Sequence, residues 1–272
     1  MTARNVYFPI LMRQSPEEFA ERIAANPEYA SRWAREGAVK GDPQAQLAWG
    51  YMLLNGHGVD RDMEAAFRWF RNAARSGLDD AVNMVGRCYE RGWGVAADAA
   101  SAVLWFRRAA DNGYDWAQYN LGCQYMHGRG VVQDYAAALT LFVRAARRGN
   151  EKAMNKLGRF REEGWHCRQK LPAARRWYER AAVRGCFRGQ FHLGRFLADA
   201  GDIDGAVRCF TASLANAPLP FCAEAGAMLA AHANPRLASI GREALARAAS
   251  RVPATASALA ATALITHAAS DV

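Results

Sequence analysis

The sequence lacks the short motifs that mark the common nucleotide, metal and nucleophile sites of enzymes. Its 272 residues contain no CxxC pair, no HExxH and no GxxxxGK phosphate loop. A zinc ribbon, a thioredoxin-type redox site, a zincin and a P-loop are therefore not indicated. No nucleophile elbow occurs either. We therefore expect a chain that is not an enzyme and that binds neither a metal nor a cofactor.

Targeting signals and long apolar runs are also missing. The first residues, MTARNVYFPILMRQSPEEF, lack the basic-then-apolar layout of a signal peptide. The Ala-rich stretch 252–269 is interrupted by polar residues and proline, which favours a docked terminal helix over a membrane span. Six cysteines stand without regular pairing, so we expect free thiols and a cytoplasmic location.

Acidic residues are scarce relative to basic ones. The chain has 35 Lys and Arg against 26 Asp and Glu, a net charge of +9. The imbalance is greatest in residues 144–195, with 15 basic and 4 acidic side chains. Such a surplus favours anionic partners, namely nucleic acid, acidic lipid or an acidic peptide. An ordinary solvated surface is the competing interpretation.

A regular spacing organises most of the sequence. Glycines recur every 36 residues, at Gly50, Gly86, Gly122, Gly158 and Gly194. Each follows an apolar residue and stands five residues after a small one, as two closely packed helices require. In the second half of the unit, pairs such as Trp105-Phe106 precede Ala-Ala, and a glycine closes the helix.

A glycine-rich turn joins the two halves of each unit. It reads Gly56-His-Gly58-Val59-Asp-Arg-Asp62 and recurs at 92–98 and 128–134. The glycines permit a sharp reversal, and the aspartate suits the N-cap of the next helix. The order A…LG…Y…G.GV..D…A..W…AA..G resembles the bacterial Sel1-like repeat family, which is similar to tetratricopeptide repeats with a longer turn. The resemblance implies an all-α fold, a right-handed α/α solenoid of stacked helix-turn-helix repeats.

The repeat pattern divides the chain into three parts. Residues 1–44 are expected to hold an N-terminal capping helix and a half-repeat. Residues 45–217 hold five repeats, of which the fourth lacks the usual turn and the fifth, with a shorter turn, looks more like a tetratricopeptide repeat. Residues 218–272 are expected to form degenerate Ala-rich capping helices at about 221–233, 235–250 and 254–268, since terminal repeats are typically atypical.

The resemblance also implies where a partner binds. In tetratricopeptide-like solenoids the first helix of each unit lines the concave groove. Positions −3, +1 and +4 to +5 relative to the repeat glycine then face the partner. Asparagine amides grip peptide backbone, and guanidinium groups hold carboxylate or phosphate. The candidate partner-binding residues are Asn83, Arg87, Arg91, Trp116, Tyr119, Asn155, Arg159, Arg188, Phe191 and Arg195.

Three functions compete at this point. The leading hypothesis is a non-enzymatic scaffold or adaptor that holds an extended or acidic segment of another protein in the groove. The second is nucleic-acid or other polyanion binding through the basic segment 144–195. The third, a repeat-type hydrolase with a His/Cys pair, or a zinc site, would use residues such as His166, Cys167, Cys186 and His192.

Overall fold

The computed structural model describes residues 26–250, and within that range the chain forms thirteen α-helices and no strand. The helices are α1 Pro27–Val39, α2 Pro43–Asn55, α3 Met63–Arg75, α4 Asp79–Arg91, α5 Ala99–Asp111, α6 Asp115–His127, α7 Tyr135–Arg147, α8 Glu151–Glu163, α9 Leu171–Val183, α10 Phe187–Asp199, α11 Ile203–Asn216, α12 Leu219–Ala230 and α13 Pro235–Ser250. Within each of the two units described below, helices that are neighbours in the chain pack against one another in pairs, so the predicted all-α repeat solenoid is confirmed.

A glycine–aromatic contact holds the two helices of each repeat together. A Cβ added to Gly86 in α4 would lie 2.7 Å from the ring of Phe106 in α5. Equivalent contacts pair Gly50 with Phe70, Gly122 with Phe142, Gly158 with Tyr178 and Gly194 with Phe210. The missing side chain lets the ring lie flat on the helix backbone, which explains the constant spacing of these glycines.

The tryptophans of the second helices lie at the edge of this core. Trp69 and Trp105 are only partly buried, although both pack against the core. The aromatic residue that follows, Phe70 or Phe106, is fully buried and fills the space over the glycine. The repeat alone could not tell which of the two adjacent aromatic residues faces inward.

The glycine-rich turn joins the helix pair and also contacts the preceding repeat. Gly92 ends α4 in the left-handed conformation, with φ of 70°. Two residues on, Gly94 lies directly against the first turn of α3, where a Cβ would come within 2.7 Å of the Glu64 Cα. Asp98 then caps α5 by accepting from the Ala100 and Ser101 backbone N–H groups. The turn therefore sets both the helix reversal and the stacking of repeats.

The helices form two compact units. Unit 1 comprises the described residues through Gly149, with α1 to α7, and unit 2 comprises α8 to α13. In unit 1 a continuous core of alanine, leucine, valine and phenylalanine side chains runs from α1 to α6. In unit 2 a core built around Phe191, Phe210 and Leu237 joins α10 to α13.

Helices α12 and α13 correspond to the predicted C-terminal helices at 221–233 and 235–250, although α12 begins and ends slightly earlier. The predicted N-terminal capping helix and the predicted helix at 254–268 lie outside the described residues. In the fourth repeat the departure from the turn motif has a visible effect. Lys170 stands at the N-cap of α9 without a capping side-chain hydrogen bond, and His166 takes a positive φ of 51°.

Candidate partner-binding surface

The surface formed by the first helices of the repeats, here called the first-helix surface, is strongly polar in unit 1. It is built from α2, α4 and α6, which are joined by side-chain hydrogen bonds. These run from the Tyr51 hydroxyl to Asp80 Oδ1 at 3.2 Å, from Asn120 Nδ2 to Asn83 Oδ1 at 2.8 Å, and from Gln124 Nε2 to Glu90 Oε1 at 2.7 Å. Burial and the nearby Asp80 carboxylate raise the pKa of Tyr51, so its hydroxyl keeps its proton.

Arg87 lies at the centre of this surface on α4. Its guanidinium stacks over the ring of Trp93 in the following turn, 4.9 Å from the ring centroid, and also contacts Met84 Sδ. It makes no ion pair within residues 26–250. A guanidinium that rests flat on an aromatic face keeps its N–H edge available for a planar or tetrahedral anion.

Unit 2 repeats this arrangement on α8. Arg159 stacks over Trp165 with 5.0 Å to the ring centroid, and it too lacks an ion pair within the described residues. One helical turn earlier, Asn155 is 3% exposed, and its side-chain oxygen accepts no hydrogen bond there. Asn155 and Arg159 share one helix face because they are four residues apart.

Glu162 links three helices of unit 2. Its Oε2 accepts from the Tyr178 hydroxyl of α9 at 2.6 Å, and its Oε1 pairs with Arg195 Nη2 of α10 at 3.2 Å. Burial and the Glu162 carboxylate raise the pKa of Tyr178. The carboxylate is itself largely buried, so this ion pair is better shielded from water than the others in the chain.

His192 lies beside this ion pair. Its ring stacks on Tyr178 with 4.7 Å between centroids, and its Nδ1 lies 3.1 Å from Arg195 Nη1. Burial, followed by the positive charge of Arg195, lowers the pKa of His192 to about 4. The imidazole is therefore neutral at physiological pH.

The structure contains a repeated set of four residues, of which the sequence predicted only a part. Asn83, Arg87, Glu90 and Trp93 recur 72 residues later as Asn155, Arg159, Glu162 and Trp165. The Asn/Arg pairs were predicted, whereas the two tryptophans were missed because they lie in the turn. The signal was present, because the same four residues recur in two repeats that lie 72 residues apart.

The other predicted residues differ in how far their side chains are exposed to solvent. Arg91 is exposed and pairs with Glu90 at 3.4 Å, while Trp116 and Tyr119 are half-buried and pack edge to face. Arg188 is exposed and lies over the Phe187 and Phe221 rings. Phe191, at 5% exposure, is a core residue packed on Phe210 and Phe221.

The position three residues before each repeat glycine is more buried than the sequence predicted. Asn83 is 4% exposed and Phe191 is 5% exposed, because the neighbouring first helix covers each of them. Their backbone positions follow the expected pattern, yet the side chains contact the adjacent repeat. Among the predicted arginines, Arg91 and Arg188 are exposed. Arg87, Arg159 and Arg195 are half-buried.

The basic residues of segment 144–195 lie in both units. In unit 2, Arg176, Arg180 and Arg184 are exposed at four-residue spacing along α9. Arg180 also stacks over Trp177, 4.9 Å from the ring centroid. Because these like charges lie one helical turn apart, they form a strongly positive strip on the second-helix side of unit 2.

The residues proposed for a hydrolase or zinc site do not form a cluster in the described part of the chain. No group of three or more His, Cys, Asp or Glu side chains there is arranged to hold a metal. Cys167 donates to the Phe160 carbonyl, and His166 is exposed. Cys186 is buried, which raises the pKa of its thiol and disfavours the nucleophilic thiolate.

The repeated helix pairs match a known family. The Sel1 repeat model matches residues 43–78, 79–114, 117–150 and 151–186, more than half of the chain. The chain belongs to the Sel1 repeat family. The fourth Sel1 repeat is matched in full length despite its altered turn, and the helix pair α10–α11 lies almost entirely beyond the matched region.

Solved structures support the assignment. A Sel1 repeat protein from Oxalobacter formigenes is 27% identical, with a TM-score of 0.67 over 78% of this chain and 89% of that one. The protective antigen c5321 of uropathogenic Escherichia coli, described as having an SLR fold, is 29% identical with a TM-score of 0.60 over 83% of this chain and 50% of its own. The immunity protein PA5088 from Pseudomonas aeruginosa shares the fold at 13% identity and a TM-score of 0.56, over 77% of this chain and 82% of its own.

No curated protein is significantly similar in sequence. Sel1 repeats typically mediate protein–protein interaction, and the fold is generally a non-catalytic scaffold. Within residues 26–250, no helix has the length and apolar character needed to cross a membrane.

Proposed function

We propose that this Sel1 repeat chain is a non-enzymatic adaptor whose first-helix surface binds an extended, acidic segment of a partner protein in the groove that the family resemblance implies. The observation that carries the proposal is the recurring Arg–Trp pair, Arg87–Trp93 in unit 1 and Arg159–Trp165 in unit 2. Each unit supplies one such pair, so each can bind an acidic residue by itself.

The chemistry of the pairs favours carboxylates. Stacking on tryptophan orients the guanidinium before the partner arrives, which reduces the entropy lost on binding. Neither arginine has an acidic partner within the described residues, whereas Arg195 is already paired with Glu162. Arg87 and Arg159 therefore have unused capacity for charge-assisted hydrogen bonds, which are stronger than neutral ones.

The test is an affinity capture with the double variant Arg87→Glu/Arg159→Glu. We expect loss of the partner that the wild-type chain captures, with unchanged helicity. Each substitution removes a cation–π contact worth about 0.5–1 kcal/mol at an exposed site, so melting should change only slightly. Recovery of the same partner at wild-type yield would refute the proposed surface.

The chain offers a matched control on its second helices. Arg108 stacks over Trp105 in unit 1 and Arg180 over Trp177 in unit 2. The variant Arg108→Glu/Arg180→Glu makes the same charge change and breaks the same kind of contact away from the first-helix surface. It should retain the partner. Loss of the partner in this control would instead assign binding to the second-helix side or to net charge.

One observation favours a second function, polyanion binding. Three exposed arginines along and just beyond α9, namely Arg176, Arg180 and Arg184, form no ion pair within the described residues, although Arg175 pairs with Glu179. Phosphate backbones bind such rows and release counterions. If this function is correct, a short RNA binds with an affinity that falls steeply as the salt concentration rises. Arg176→Gln should then make the dependence of the affinity on salt concentration less steep. An affinity for RNA that is independent of salt would contradict it.

We also propose a cytoplasmic location. All six cysteines are free, and Cys88, Cys186 and Cys222 are buried within helix packing. Free thiols of this kind persist in a reducing compartment. Fractionation followed by alkylation of the denatured protein would reveal six reduced thiols if the location is cytoplasmic and oxidised ones if it is not.

A further inference from the structure

The two copies of the Asn–Arg–Glu–Trp set differ in one hydrogen bond. In unit 1, Asn120 on α6 donates to the Asn83 oxygen at 2.8 Å. The residue 72 positions after Asn120 is His192, so unit 2 carries a histidine where unit 1 has the donor amide. His192 stacks on Tyr178, and the Asn155 oxygen is left buried without a donor within residues 26–250.

An unpartnered buried carbonyl is costly in a folded protein. Leaving such an acceptor without a hydrogen bond destabilises the folded state, because its desolvation is not compensated. The Asn155 amide lies on the same helix face as Arg159, one turn away. A molecule that brings an N–H group beside Arg159 would therefore satisfy this oxygen.

Positive charge gathers around His192 as well. The charged groups that act most strongly on it are Arg195, Glu162, Arg159 and Arg188. Three of these are arginines and one is a carboxylate, which is shared by Arg195 and the Tyr178 hydroxyl. Arg159 and Arg188 remain without a carboxylate and rest on aromatic rings, Arg159 on Trp165 and Arg188 on Phe187 and Phe221.

We propose that α8 and α10 of unit 2 form an oxyanion site, in which Arg159, Arg188 and Arg195 receive a carboxylate or phosphate group and Asn155 accepts a neighbouring backbone N–H. This inference rests on the proposed function, because it names the chemistry that unit 2 recognises in the partner segment. The ligand is an extended peptide with an acidic or phosphorylated side chain. Clusters of arginine that are held flat by aromatic contacts suit both anions.

The contact between His192 and Arg195 makes anion binding at this site depend on the protonation of His192. A guanidinium only donates, so His192 Nδ1 accepts and the neutral ring carries its proton on Nε2. Protonation of Nδ1 would place two donors face to face. The other groups facing the ring are Arg159 and Glu162 from α8, Tyr178 from α9 and Arg188 from α10.

Binding of an oxyanion offsets the arginine charges and makes protonation of His192 less unfavourable. The pKa of His192 therefore rises when the anion binds, and by linkage the anion binds more tightly as the pH falls. An upward shift of about two pKa units corresponds to roughly tenfold tighter binding at pH 5 than at pH 8. Sulfate is a suitable probe because it stays doubly charged across this range.

The experiment is an NMR titration of the His192 ring nitrogens in the full chain, with sodium sulfate compared with sodium chloride at equal ionic strength. Sulfate should raise the pKa of His192 where chloride does not. Arg159→Gln should weaken sulfate binding by about tenfold or more, since it removes a charge-assisted donor. The control variant Arg108→Gln, which alters a stacked arginine on the second-helix side of unit 1, should leave sulfate binding unchanged. Equal shifts in both salts, or no effect of Arg159→Gln, would overturn the site.

Two capped tripeptides distinguish the sources of the anion. Binding of Gly-Glu-Gly or of Gly-phosphoSer-Gly supports the site. The peptide with the higher affinity identifies whether the partner segment supplies a carboxylate or a phosphate. Asn155→Ala should weaken either peptide but not sulfate, because sulfate offers no N–H. If the adaptor captures its partner through Arg87 and Arg159 while sulfate and both peptides leave His192 unchanged, the oxyanion site fails and the proposed function stands. If sulfate binds but the variant Arg87→Glu/Arg159→Glu still captures the partner, only the proposed function fails.

Discussion

The substitution Gly94→Ala should separate the two roles of the turn glycines. Gly94 has a φ of 69° and lies against the first turn of α3, where an added Cβ would come within 2.7 Å of the Glu64 Cα and closer still to the Met63 carbonyl. Both are backbone atoms that cannot rotate away. Gly77 has a similar φ of 83°, with no atom within 4 Å of an added Cβ. The comparison of the two alanine variants therefore isolates the packing contribution.

The expected magnitudes follow from these geometries. A left-handed alanine costs about 1–2 kcal/mol at either position. At Gly94 the forced separation of two stacked repeats adds about 1–3 kcal/mol, typical of overpacking. Gly94→Ala should thus lower the free energy of unfolding by about 1–3 kcal/mol more than Gly77→Ala.

Urea denaturation of the full-length variants, followed by circular dichroism, measures the two free energies of unfolding. Hydrogen exchange locates the effect, which should appear first in α3 and α4. Gly130 offers a second test, since an added Cβ there would come within 2.7 Å of the Ala100 nitrogen at the start of α5. Equal destabilisation at Gly94 and Gly77, within about 0.5 kcal/mol, would refute the idea that the turn glycine is retained for repeat stacking.

Three further predictions follow from the caps and the buried titratable groups. Lys170→Asp should stabilise the chain by about 0.5–1 kcal/mol in urea denaturation, because it supplies α9 with the N-cap that Asp98 gives α5; no gain would show that the altered fourth turn cannot use a cap. His192→Gln should flatten the pH dependence of the free energy of unfolding between pH 6.5 and 4. In that window an unfolded histidine binds a proton and the buried His192 does not, because burial lowers its pKa to about 4. The wild-type free energy of unfolding therefore falls as the pH falls from 6.5 to 4, by up to about 3 kcal/mol. A variant with the wild-type pH profile would place the effect elsewhere. The Cys88 thiol, whose pKa burial raises to about 12, should resist iodoacetamide at pH 8 until the chain unfolds, and rapid labelling in native buffer would contradict the packing of α4.

The repeat spacing was sufficient to predict the architecture because it reports contacts that every repeat must make. Gly86 faces Phe106, and Asp98 caps α5, in the same manner as their counterparts 36 residues away. The period could not say which aromatic residue of a pair faces inward. Trp105 and Phe106 are neighbours on one helix, so which of them faces the core depends on the angle at which the helices pack.

The sequence predicted the arginines of the candidate surface but not its tryptophans. Arg87 and Arg159 lie on a helix, where position along the repeat fixes the face. Trp93 and Trp165 lie in turns, whose path must be known before their rings can be placed under a guanidinium. The burial of Phe191 was missed for a related reason, since the adjacent helices that cover it are known only once the repeats are stacked.

The difference between Asn120 and His192 shows how a repeat protein can acquire a site without altering its fold. Both residues stand at the same repeat position, and neither contributes the glycine–aromatic contact that holds its helix pair. Asn120 satisfies the amide of the preceding repeat, so unit 1 presents a closed polar surface around Asn83. His192 stacks on Tyr178, and the buried Asn155 oxygen has no donor within residues 26–250, one helical turn from Arg159. One substitution therefore exchanges an internal hydrogen bond for an unpartnered acceptor, while the glycine–aromatic contact of the helix pair is kept.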